Sequence, residues 1–221
     1  MAQLIFTARA GGSSTVDYSS LNLGDHVGDD RDLVAKNREA LRKFVSQERL
    51  VFMNQVHGDT VIEVDESADS PVTADAIITM TPGLPLVVLV ADCLPILISS
   101  PAVVGAVHAG RRGVLNGIIS KTVSAMRALG ATDLEATIGP AICKACYEVD
   151  LEMYQAAIEQ KPELATTLSS HRLDLTRAAK FELESAGVKV STMEICTAHN
   201  ANYFSYRRDG QTGRSAGVIV L

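Results

Sequence analysis

The sequence predicts a single α+β domain of mixed α/β layers spanning residues 1–221, with a central mixed β-sheet and flanking helices. Three observations predict it. A chain of 221 residues with 47% apolar side chains can bury one sizeable core. Its middle is a succession of short apolar, β-branched segments separated by Gly, Pro, Asp or Ser, the pattern of strands. Apolar residues at helical spacing recur on either side of that region.

Residues 7–28 are rich in Gly, Ser, Asp and Asn and read as an extended loop with tight turns at Gly11-Gly12 and Gly24. Over 29–45, Leu33, Val34, Asn37, Leu41 and Phe44 recur at helical spacing behind an Asp-rich start, which predicts one amphipathic helix. Strands are predicted at 50–52, 60–64, 75–80, 86–98 and 103–107. The unbroken apolar run Leu86-Val87-Val88-Leu89-Val90 indicates a strand covered on both faces, so helices lie against at least one side of the sheet. Those helices are predicted at 113–129, 151–158 and 173–185, interleaved with strands at 136–138, 192–196 and 216–221.

The net charge of -6, with both signs interspersed along the chain, provides no basic stripe for a phosphate backbone, which argues against nucleic acid as a partner. No charged-then-apolar leader opens the chain, and the apolar run at 84–98 is broken by Pro85, Asp92 and Pro95. The expectation is a cytoplasmic protein with no membrane partner, whose four cysteines stay reduced.

Three metal-ligating residue types stand in similar contexts: His57 before Gly58, Cys93 in Ala91-Asp92-Cys93-Leu94-Pro95, and His108 before Ala109-Gly110. Each follows an apolar strand-like run, and strand ends that share one edge of a sheet would bring them together. Read alone, such residues are more often two hydrogen-bonded histidines and a buried thiol. Read as ligands, two imidazoles and one thiolate make a three-point zinc shell with the fourth position open, the arrangement of a catalytic site.

Many ordered blocks along the chain resemble the YfiH-like proteins, first labelled multicopper polyphenol oxidases or laccase-domain proteins and now regarded as purine nucleoside phosphorylases. The blocks include Thr7-Ala8-Arg9-Ala10-Gly11-Gly12, Leu21-Asn22-Leu23-Gly24-Asp25-His26, Asn37-Arg38, Gln55-Val56-His57-Gly58, Thr73-Ala74-Asp75-Ala76, Ala91-Asp92-Cys93-Leu94-Pro95, His108-Ala109-Gly110, Cys146-Tyr147-Glu148-Val149 and Phe204-Ser205-Tyr206-Arg207-Arg208. The resemblance implies a zinc held by His57, Cys93 and His108, with copper as the alternative metal. It implies phosphorolysis of adenosine, inosine, guanosine and methylthioadenosine, with adenosine deamination as a second activity, so purine nucleosides and phosphate are the expected partners. His57, Asp92, Cys93 and His108 are the expected catalytic residues. Phosphate calls for guanidinium groups, and Arg38, Arg111, Arg112, Arg207 and Arg208 stand in or beside matching blocks. Asp75 is expected to hold a ribose hydroxyl or take a proton, or else to orient a metal ligand. The chain departs from the family pattern at Arg111, where the family usually carries Trp.

Rival readings stay open on the sequence. Five histidines are too few for the mononuclear and trinuclear centres of a multicopper oxidase, although one copper in a His2Cys site is chemically sound. Cys93 and His108 without metal would suit an amide hydrolase, and the family resemblance implies peptidoglycan precursor editing as a conceivable setting for it. Cys143-Lys144-Ala145-Cys146 has zinc-knuckle spacing but no second closely spaced pair to complete it, so these are expected to be packing thiols, with His171 and His199 ordinary polar residues and His199 within reach of the pocket.

Overall fold

A computed structural model describes residues 2–167 and 170–221. Strand β1 (Gln3–Phe6) leads into the predicted loop, which makes a 3-10 turn at Val16–Tyr18. Helix α1 (Arg31–Phe44) follows, its first turn capped by the Asp30 carboxylate, which accepts from the backbone N–H groups of Asp32 and Leu33. Eight of the next ten elements are strands: β2 (Val51–Asn54), β3 (Val61–Glu63), β4 (Val72–Thr73), β5 (Ala76–Thr79), β6 (Leu86–Val90), β7 (Leu94–Ser99), β8 (Val104–Ala109), helices α2 (Arg111–Asn116) and α3 (Ile118–Ala128), and β9 (Glu135–Ile138). The remainder comprises α4 (Leu151–Gln160), a 3-10 turn at Pro162–Leu164, α5 (Leu175–Ser185), β10 (Lys189–Thr192), the single-turn α6 (Tyr206–Asp209) and β11 (Ser215–Val220).

The strands form two sheets, one in the order β1-β11-β6-β2-β4 and the other in the order β10-β9-β7-β8-β5-β3. Side-chain alternation along β6 shows how the layers stack. Leu86, Val88 and Val90 face a core shared with Ile77, Leu97, Val104 and Ala106 of the second sheet. Val87 and Leu89 point the other way, onto Leu41 and Val45 at the end of α1. The outer face of the second sheet, with Ile78, Ile96, Ile98 and Val107, packs on Val114, Ile118 and Met126 of α2 and α3 and on Leu183 of α5. The order is helix, sheet, sheet, helices, and most of these core side chains are completely buried.

The mixed α/β class holds, with the strands divided between two sheets. Predicted strand 86–98 is two strands, β6 in one sheet and β7 in the other, joined by a corner at Ala91-Asp92-Cys93. Predicted helix 113–129 divides at Gly117, whose φ of 82° is left-handed and ends α2 before α3 begins. The strand predicted at 192–196 lies earlier, at β10, and β1 and β4 carry no clear sequence signal. No helix among the described residues is long and apolar enough to cross a membrane.

Candidate metal centre and active site

The β6–β7 corner is where the chain leaves one sheet for the other, and it delivers Cys93 to one end of the sandwich. His108 reaches the same end from β8, where it pairs in register with Pro95 of β7. His57 comes from the loop after β2. The three ligand atoms lie within 4.8 Å of one another, with His108 buried, Cys93 half-buried and His57 exposed.

A single carboxylate organises the group. Asp75, fully buried just before β5, accepts from His108 Nδ1 at 2.8 Å and from the backbone N–H groups of Val56, His57 and Gly58 at 3.2, 3.0 and 2.7 Å. It therefore holds the His57 turn and the His108 ring together and leaves His108 Nε2 for a metal. The His57 turn is left-handed, with φ of 58°, and Asp92 in the corner has φ of 99°, both costly for non-glycine residues. Gly110 leaves the room the cluster needs: a Cβ there would stand 3.0 Å from Cys93 Sγ and 3.2 Å from His57 Cδ2.

Burial alone would raise the Cys93 thiol, but the facing rings of His108 and His57 outweigh it and bring it down to about 6. Burial lowers His108, yet the Cys93 sulfur and the Asp75 carboxylate outweigh that in turn and hold it at about 9. A thiolate beside an imidazolium is the state expected of a ligand pair that holds a proton where a cation fits. Two imidazoles and one thiolate with a carboxylate behind them suit zinc with an open fourth position.

The cluster floors a cavity of about 330 Å³, within the range of small-molecule sites. Its lining includes Gln55, Leu89, Ile142, Tyr147, Tyr206, Arg207 and Arg214. Gln55 is fixed by a reciprocal pair with the backbone of Leu89, 2.8 Å in each direction. Burial raises the Tyr147 phenol, with Arg111 and Arg207 pulling the other way. The Arg207 guanidinium stacks 5.4 Å from the Tyr147 ring, and its Nη1 donates to the carbonyls of Cys146 and Glu148. Asp92 ties this wall to the corner, accepting from the Arg207 backbone N–H at 2.7 Å and from Thr197 Oγ1 at 2.6 Å.

A family model described as multi-copper polyphenol oxidoreductase laccase matches residues 3–221. The chain belongs to this laccase family. A protein named purine nucleoside phosphorylase from Corynebacterium glutamicum is 42% identical to it, over 98% of this chain and 93% of the relative. One of the same name from Streptomyces coelicolor is 44% identical, over 98% and 94%. Among solved structures, Neisseria meningitidis protein NMB0706 matches with a TM-score of 0.91 at 35% identity, covering 100% of this chain and 94% of that one.

In this laccase-family chain His57, Asp92, Cys93, His108 and Arg207 all line the cavity. Asp75, Arg38, Arg112 and Arg208 are not among its lining residues. Asp75 is spent on the histidines. Arg38 donates to the Leu23 carbonyl, pairs with Asp25 at 3.2 Å and stacks 4.1 Å from the Phe52 ring, pinning the N-terminal loop to α1. Arg208 is taken up by the carbonyls of Thr197, Asn200 and Tyr203 and by Asp209. Arg112 is exposed on α2. Arg111 acts on the Tyr147 phenol and is not among the lining residues.

Several lining residues were not singled out from the sequence: His26, Gln55, Tyr147, Tyr206 and, outside every matching block, Arg214. A cation directly before the wholly buried strand β11 breaks the apolar pattern and was the available signal. Cys143 and Cys146, expected as packing thiols, instead meet Cys196 and His199, and none of the four lines the cavity. His171 stacks near Tyr154, with ring centroids 5.7 Å apart. A second cleft of about 460 Å³ borders Cys143 and Cys196, but its cations are engaged: Lys144 with Asp174, Arg177 with the carbonyls of Glu163 and Ala165, and Lys180 with Glu184.

Proposed function

We propose that this chain is a zinc-dependent purine nucleoside phosphorylase of the cytoplasm, converting adenosine, inosine, guanosine or methylthioadenosine and phosphate to a free base and the sugar 1-phosphate. Adenosine deamination is proposed as a second reaction of the same pocket. The observation that carries the reading is the pairing, across one cavity, of a three-ligand cluster with a half-buried guanidinium, Arg214, that has no carboxylate partner among the described residues. The relatives that carry the phosphorylase name support it.

A desolvated guanidinium is favourable only when an anion or several carbonyls complete it. Arg214 Nη1 donates to the carbonyls of Thr212 and Gly213 at 3.0 Å each, which leaves Nε and Nη2 for phosphate oxygens. Arg207 adds a second cation to the same wall, held by Asp92 at its backbone and by carbonyls at its Nη1. Leu89, Ile142 and Tyr147 offer apolar surface to a purine. Asp75 keeps His108 in the tautomer that presents Nε2. A zinc held by His57, Cys93 and His108 supplies positive charge where negative charge develops during the reaction.

The multi-copper description does not fit this donor set. His171 lies against Tyr154 and His199 against Cys146, so His57 and His108, with His26 on the rim, are the imidazoles left for the cavity. A single copper at His57, Cys93 and His108 would be compatible with the ligands.

One observation favours a second reading. Cys93, His108 and Asp75 stand in the order of a nucleophile, a base and the carboxylate that orients the base, as an amide hydrolase without metal requires. Alkylation separates the two. Under the phosphorylase reading Cys93 resists iodoacetamide until chelator is added; under the hydrolase reading it reacts at once.

The test is inosine or adenosine with purified protein of measured zinc content, with and without phosphate, following free base and sugar 1-phosphate. Both products are expected only with phosphate present. Zinc-loaded protein that releases no base in phosphate sinks the proposal.

A further inference from the structure

Outside the pocket lining, two short turns meet side by side. Cys143 and Cys146 stand three residues apart after β9, and Cys196 and His199 stand three residues apart before α6. The first turn closes through Cys146 N–H and Tyr147 N–H, which both donate to the Cys143 carbonyl, and the second through Asn200 N–H to the Cys196 carbonyl. A parallel bridge between Ala141 and Cys196 sets the turns against each other. The three sulfurs and the imidazole then lie within 4.8 Å of one another. Cys146 Sγ is 2.9 Å from His199 Nε2, and Cys143 N–H donates to Cys196 Sγ at 3.3 Å.

We propose that Cys143, Cys146, Cys196 and His199 form a second, closed metal site that takes one zinc ion and clamps the loop after β9 to the segment before α6. Tetrahedral zinc, with Zn–S of about 2.3 Å and Zn–N of about 2.0 Å, sets its ligands about 3.5–3.8 Å apart, and the four donors already gather at that scale. Each turn has knuckle spacing, and a backbone N–H donating to a ligand sulfur belongs to the same arrangement. Binding displaces the three thiol protons to solvent and forms three Zn–S bonds and one Zn–N bond, with no change of oxidation state. Four protein ligands leave no open position, so the ion is structural.

The clamp bears on the pocket. Tyr147 is the next residue after Cys146, and Arg207 Nη1 donates to the Cys146 carbonyl at 3.1 Å. Thr197, the residue after Cys196, donates to Asp92 in the β6–β7 corner. Fixing the two turns therefore fixes the wall that carries Tyr147 and Arg207.

The proposal does not depend on the reaction assigned to the pocket, and its test reads metal, not turnover. Zinc is counted in Cys93→Ala, which removes the only thiolate of the pocket cluster, and in Cys93→Ala combined with Cys196→Ala. The expected contents are about one and about zero zinc per chain. Equal contents overturn the proposal. Because Cys196→Ala can disturb folding, the folded Cys93→Ala protein provides a second measurement: its three remaining cysteines should react with a thiol reagent only after chelator is added. Immediate reaction overturns the site, as does a thiol count two short in the unfolded, unreduced chain, which would mean a disulfide.

Discussion

The two cysteine–histidine clusters use the same residue types and are assembled in opposite ways. His57, Cys93 and His108 come from three separate segments, two of them at the ends of strands in a packed sandwich, with the buried Asp75 carboxylate behind them. Cys143, Cys146, Cys196 and His199 come from two surface turns, with no carboxylate among their hydrogen-bond partners in the described residues. The first cluster has three donors and lines one cavity; the second has four, lies outside that lining and borders a separate cleft at Cys143 and Cys196. On the proposed readings, donor number and placement, more than donor chemistry, separate a reactive centre from a rivet.

That contrast can be broken by experiment. Cys93→Ala should take phosphorolysis to background and remove one zinc, yet change the melting temperature less than His199→Ala does; calorimetry that ranks them in reverse removes the distinction. Arg214→Ala should raise KM for phosphate by about 10- to 150-fold, the loss of a charged hydrogen bond of about 1.5–3 kcal/mol, with zinc content unchanged. An unchanged KM would place the anion elsewhere. Asp75→Asn removes the charge behind His108 and should weaken zinc binding in the pocket by about 10- to 100-fold while sparing the second cluster, as competition with a chromogenic chelator would show. The smallest effect is expected from Arg111→Trp, a few-fold change in the ratio of kcat/KM for inosine and adenosine transmitted through Tyr147. Identical ratios would confine Arg111 to the surface.

Much of this was legible in the sequence. The Asp-rich start and helical spacing of 29–45 gave α1 to within two residues, because a cap and an amphipathic stripe are local signals. The candidate ligands His57, Cys93 and His108 were visible because each follows an apolar run. The division into two sheets was not: residues 86–98 are apolar on both sides of Asp92, and nothing local says that the chain changes sheets there. Arg38 and Arg207 could not be told apart, since a guanidinium's partner is set by tertiary contact. The second cluster escaped for a related reason. Cys196 and His199 have the same spacing as Cys143 and Cys146, but α4, α5 and β10 lie between the two turns.

The sheet order β1-β11-β6 has a consequence for how the protein is made. Among the described residues β11 is the last strand, lies between the first strand and the sixth, and is the only partner of β1. As the chain emerges from the ribosome, β1 and one edge of β6 wait unpaired until residues 215–220 are free, and Tyr206, Arg207 and Arg214 arrive in the same late stretch. The lining of the cavity is therefore completed well after His57, Cys93 and His108 have been made. A nascent chain stalled before α6 would hold His57, Cys93 and His108 without the Tyr206, Arg207 and Arg214 part of their cavity.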